Sequence, residues 1–162
     1  MPAPLYLALG LLGLLLGRPG AARCEDPKDV CSEFNPSMAL VFRATGTEGL
    51  FEGLGPGTLL CPSTEGLLAF LEAEGLSSVA DAAKLAPRLP YFREVVATNV
   101  VRGTVDPGAV GSTYPSLAGG AVVVVAEGEL QASGSAAPAA VSGERSLCGV
   151  KVLFTDGVLV PE

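Results

Sequence analysis

The order of its two periodicities constrains this chain most. Up to Gly103 apolar residues recur at helical spacing: Met38, Val41 and Phe42, then Leu67, Leu68 and Leu71 on one face, then Tyr91, Phe92, Val95, Val96 and Val100. From Ala121 onward they come in short β-branched runs instead, at 121–126, 129–133, 150–154 and 158–160. Helices first and strands later, with no βαβ alternation, predict an α+β fold with an antiparallel sheet rather than a doubly wound one.

The boundaries carry their own chemistry. Asn35-Pro36 reads as a helix start, with Asn as cap and Pro in the first turn, and Gly46 as its stop. Residues 47–54 make one further turn. A short strand at Thr58–Cys61 stops at Pro62, and Ser63 or Thr64 caps a helix closed by Gly75. Ser77 or Ser78 caps another through Leu85. Pro90 opens a helix that Gly103 ends. Residues 104–120 are loop, punctuated by Asp106-Pro107-Gly108 and Gly119-Gly120, and 134–140 are small and loose.

Composition removes several function classes. The 162 residues hold 10 Lys and Arg against 17 Asp and Glu, a net charge of -7, which disfavours a phosphate backbone as partner. There is no His, so Ser-His-Asp and Cys-His catalysis and His-ligated zinc are all excluded. At 49 % apolar and 17 % charged the chain is too apolar for disorder.

Leu5–Leu16 is an uncharged apolar run, shorter than the roughly 20 residues of a membrane span but the length of a secretory signal core. With small residues at 20–22, residues 1–22 read as a signal peptide cut after Ala22. Residues 23–34 then form a polar arm and 35–162 a single domain, secreted and extracellular. No later stretch reads as a membrane span, and the end at 160–162 lacks the apolar tail of a lipid-anchor signal. Cys24, Cys31, Cys61 and Cys148 suit two disulfides, with three connectivities possible. Nearness in sequence favours Cys24–Cys31, leaving Cys61–Cys148.

Three segments in order resemble the fasciclin domain. Thr58-Leu59-Leu60-Cys61-Pro62-Ser63-Thr64 is similar to the family's T-V-F-A-P-T-N, matching at Thr58 and Pro62 with Ser63 for Thr. Val95 to Val105 resembles L-L-x-Y-H-V-V-x-G-x-V, matching at Val100, Val101, Gly103 and Val105. Thr98-Asn99 stand where the family has Tyr-His, a pair associated with adhesion and domain integrity. A Tyr-His-dependent receptor contact therefore does not carry over, although Asn99 can hydrogen-bond where the His would. Gly149 to Pro161 resembles N-G-V-I-H-V-I-D-x-V-L-L-P, matching at Asp156, Val158, Leu159 and Pro161. Its two ends are out of step by one residue, which calls for a β-bulge or for a hairpin turn at Asp156-Gly157.

The resemblance covers roughly residues 35–161. It implies a wedge or sandwich of antiparallel strands packed with several helices. It also implies a non-catalytic module, without cofactor, for cell adhesion or for association with extracellular matrix or cell wall through a protein or polysaccharide. Such a domain cross-links two surfaces only if it forms a homo-oligomer or has two sites. Arg88, Arg93 and Arg102 lie near one helix and are the candidate contacts for an acidic ligand, with loop 104–119 beside them. A second function class is a soluble carrier holding a small apolar ligand between sheet and helices. A third, hydrolysis by Glu65, Glu72 and Glu74, lacks aromatic platforms. The acids Glu25, Asp26, Asp29 and Glu33 lack the spacing of a calcium loop, and Asp81 with Lys84 reads as a surface pair.

Overall fold

The computed structural model describes residues 24–52, 55–135 and 137–162. The proposed signal segment lies outside the described residues, as do positions 53–54 of the predicted extra turn. Five α-helices and seven strands follow in the order α1 (Pro27–Phe34), α2 (Ser37–Thr45), β1 (Gly57–Pro62), α3 (Thr64–Ala73), α4 (Ala82–Leu85), α5 (Leu89–Thr98), β2 (Val100–Arg102), β3 (Thr113–Pro115), β4 (Ala121–Ala126), β5 (Glu129–Ala132), β6 (Ala139–Ser146) and β7 (Val150–Thr155). Short 3-10 turns occupy Glu48–Phe51 and Ala86–Arg88. The fold is α+β, with the helices confined to the first hundred residues.

Local chemistry sets several helix ends, but the helix expected to start at Ser77 or Ser78 begins only at Ala82. The Ser63 hydroxyl accepts from the Gly66 N–H at 3.0 Å and starts α3. Gly46, at φ 66°, ends α2 in the left-handed conformation that favours glycine. The arm expected at 23–34 is largely helix. Asp26 accepts from the Lys28 N–H, Pro27 occupies the first turn, and Val30 and Cys31 turn inward. An Asp-Pro start outweighs a polar composition. α5 stops at Thr98 rather than Gly103, because Val100 and Val101 enter β2, and Leu60 N–H donates to the Asn99 carbonyl at 2.8 Å. On α3, Leu67 and Leu71 are buried but Leu68 is 46 % exposed, one helical step off the inward face.

The sheet runs β2-β1-β7-β6-β5-β4-β3. It is mixed rather than wholly antiparallel: β1 and β7 pair in parallel from Gly57↔Val150 to Pro62↔Thr155. The long chain between them allows this, since parallel neighbours need a crossover. β6, whose first two residues fall in the stretch expected to be loose, hinges the sheet. Ala139 and Ala140 pair with β5, and Val141 to Ser146 pair with β7 around a register shift at Val141/Gly143. The bulge thus falls on β6, opposite Phe154–Thr155, and no hairpin forms at Asp156-Gly157. Residues 158–160, expected as a strand, form none. A bridge between Val101 and Ser116 brings the two ends of the sheet together.

Alternation along the central strands divides the interior into two cores. Leu59, Cys61, Val100 and Val152 face the helices and meet Met38, Phe42, Leu67, Leu71, Phe92 and Val96. Leu60, Val101 and Leu153 face the other half of the sheet and meet Val122, Val124, Leu130 and Leu159. Strands buried on both faces show continuous apolar runs, as Leu59-Leu60-Cys61 does.

Candidate functional site

The three family-like blocks, separate in sequence, meet around the end of α5. Thr58 projects from β1 into the second core. Its hydroxyl donates to the Gly103 carbonyl at 2.8 Å and accepts from the Val105 N–H at 3.0 Å. Asn99, buried just past α5, donates from Nδ2 to the carbonyls of Val95 (2.8 Å) and Leu159 (2.7 Å). Its Oδ1 accepts from the Leu159 N–H at 3.1 Å. The C-terminal segment after β7 is thereby bound to α5 by one amide reading both main-chain groups of Leu159. Thr98 is buried as well, and its hydroxyl donates to the Glu94 carbonyl. Neither member of the Thr98-Asn99 pair is a surface contact.

The remaining motif positions serve packing. Pro62 is buried, and its carbonyl accepts from Asn35 Nδ2 at 3.0 Å. Ser63 is the α3 cap. Val100 and Val101 face opposite cores. The Asp156 carboxylate accepts from the Ala140 N–H at 2.7 Å, which ties the end of β7 to β6. Val158 packs on the helix-side core, Leu159 is buried in the other, and Pro161 lines a cleft with Glu94 and Thr98.

The structure does not gather the three arginines into one patch. Arg88 makes an ion pair with Glu74, donates to the Glu74 carbonyl at 2.7 Å, and lies over the rings of Tyr91 and Phe92 at 5.5 and 5.1 Å. Arg93 Nε donates to the Thr45 carbonyl at 2.7 Å, at the end of α2. Five residues of helix rotate these two side chains well apart, so they clasp different neighbours. Arg102 is exposed on β2 and has no ion pair among the described residues.

Sequence reasoning missed the clasp between α3 and α5. Tyr91 Oη donates to Glu74 Oε1 at 2.9 Å, beside Arg88. Burial, reinforced by the hydrogen bond to Glu74, pushes the Tyr91 phenol up to about 12. Glu65, exposed in the first turn of α3, lies about 13 Å along the axis from Glu74, beyond the separation of paired glycosidase carboxylates. Asp81 and Lys84 pair at 3.5 Å as their spacing implies. Glu25 and Glu33 both pair with Arg145, and Asp26 is the α1 cap.

The segment 104–119, expected as loop throughout, contains β3 and is held down. The Asp106 N–H donates to Tyr114 Oη, Gly111 and Ser112 bond to Val124, and Lys151 Nζ donates to the Val105 carbonyl at 3.0 Å. Val110 at its tip is 59 % exposed. Between helices and sheet an apolar cavity lined by Met38, Phe42, Leu71 and Phe92 measures about 50 Å³. That is room for a few waters, against the several hundred Å³ of ligand pockets.

The cysteines pair as Cys31–Cys61 and Cys24–Cys148, not as nearness in sequence suggests. α1 turns Cys31 inward onto β1, where Cys61 faces the helices. Cys24 precedes the helix and meets the β6–β7 turn.

No protein-family model matches the chain, and no curated protein does. A search of solved structures finds a FAS1 domain pair from the insect cell adhesion molecule Fasciclin I, at 13 % identity and a TM-score of 0.45. The match covers 82 % of this chain and 43 % of the other, so the chain spans less than half the length of that pair.

Proposed function

We propose that this chain is a fasciclin-like, non-catalytic module that works outside the cell in adhesion or in association with matrix or wall. The observation that carries the reading is the convergence at Asn99. The blocks that resemble the family in sequence are joined by direct hydrogen bonds, with Asn99 where the family has His. Two disulfides support an oxidising compartment. The described residues contain no helix long and apolar enough to cross a membrane.

With Thr98 and Asn99 buried and Arg88 and Arg93 bonded internally, the exposed Arg102 and Val110 are the contact candidates that remain. The partner is an extracellular protein or polysaccharide. The test is co-sedimentation of the purified protein with native matrix across a salt series. Saturable retention that falls with salt, and falls further in Arg102→Ala, is expected. Absence of retention at every salt concentration would overturn the adhesive reading. The apolar cavity between helices and sheet, at about 50 Å³, gives the carrier alternative little support.

A further inference from the structure

The two disulfides differ in access. Cys31 and Cys61 are both 0 % exposed, enclosed between α1 and the helix side of β1. Cys24 and Cys148 are both exposed, and they border a cleft of about 300 Å³ between the segment before α1 and the β6–β7 turn. Attack on a disulfide needs a thiolate at one sulfur, so access separates labile bonds from inert ones.

We propose that Cys24–Cys148 is a site of thiol–disulfide exchange, open to small thiols while Cys31–Cys61 stays closed. An incoming thiolate forms a bond to one Sγ. The Cys24–Cys148 bond breaks, and its electron pair leaves on the other Sγ as thiolate. A second thiolate then attacks the sulfur of the first, and the mixed disulfide breaks with its electron pair leaving on the protein Sγ. The protein disulfide gains two electrons, and the thiol pair is oxidised to its own disulfide.

The consequence is local. Cys31–Cys61 keeps α1 on β1, so opening the outer bond releases the chain before α1 from the β6–β7 turn and leaves the helix docked. Among the described residues the Glu25–Arg145 ion pair still ties that segment to β6, and an exposed pair holds weakly.

The cleft also selects among thiols. Its walls carry Glu25, Asp26, Glu48 and Glu52 against Lys28; with Glu25 paired to Arg145 and Asp26 to Lys28, the excess negative charge sits on Glu48 and Glu52. An anionic thiol is repelled there, and a neutral or cationic one is favoured.

The test exposes the folded protein to cysteamine or to glutathione at matched thiolate concentration, then alkylates and maps the cysteines by mass spectrometry. Labelling of Cys24 and Cys148 is expected about tenfold or more ahead of Cys31 and Cys61. Cysteamine leads glutathione, and the gap narrows as salt rises. In Cys24→Ser/Cys148→Ser the fast phase disappears and the slow one remains. Simultaneous labelling of all four cysteines, or earlier labelling of Cys31 and Cys61, would overturn the proposal. Glutathione matching cysteamine at low salt would overturn the charge selection. Collapse of the circular dichroism spectrum during the fast phase would overturn the local release.

Discussion

Both donors of the Asn99 amide and its oxygen are used inside the fold, on Val95 and Leu159. Asn99→Ala leaves the buried N–H and C=O of Leu159 without these partners. A loss of roughly 2–3 kcal/mol in urea unfolding is expected. Gly66 is a second sensitive position. A Cβ there would collide with the main chain of Asp156, whose carbonyl carbon would lie 2.8 Å away. Ala is the better helix former by about 1 kcal/mol, yet Gly66→Ala is expected to destabilise, because main chain cannot yield as a side-chain tip does. A rise in Tm on Gly66→Ala would contradict that close approach. At this scale the Ser63 cap and the Gly46 stop were legible in the sequence, since each acts within a few residues. That Asn99 would hydrogen-bond was legible, but its partner Leu159 and the contact at Gly66 were not, because each comes from the far end of the chain.

At the scale of elements, α3 and α5 are joined by Arg88, Glu74 and Tyr91. The Tyr91 phenol has its folded pKa raised to about 12 from 10.0. The neutral phenol is therefore favoured in the folded state. The contribution is fully present below pH 10 and is lost as pH rises from 10 through 12. Tyr91→Phe should flatten the alkaline fall in stability across that window, read by unfolding at a series of pH values. Absorbance near 295 nm should show one phenol titrating late. Removing Arg88 loses packing on two rings as well as a charge. Arg88→Ala is accordingly expected to cost about 1–2 kcal/mol, with most of the coupling to Glu74→Gln visible in a double-mutant cycle. The helical stretches after α1 were readable because their apolar period is local, whereas α1 was hidden by its polar composition. β6 was not, because Ala139 to Ser146 is small, polar and largely exposed, and it is a strand only through its partners β5 and β7.

Across the whole molecule, one disulfide binds the helical layer to the sheet and the other closes the chain over a separation of 124 residues. Replacing Cys31 and Cys61 by Ala together is expected to cost roughly 2–5 kcal/mol and to loosen α1, seen as faster hydrogen exchange in Pro27–Phe34. Losing Cys24–Cys148 should leave α1 protected. The amino-acid order by itself determined the class of fold, both ends of α3, the stop of α2 and the start of α5, and the three blocks that resemble the fasciclin family. Each of these is written in local patterning and turn chemistry. Tertiary structure alone decided the parallel pairing of β1 with β7, the hinge in β6, the partner of each cysteine, and the internal use of Arg88 and Arg93. These depend on which distant surfaces meet. Nearness in sequence misled for the cysteines because α1 turns Cys31 inward, and a side chain's partner is set by the face it presents rather than by its distance along the chain.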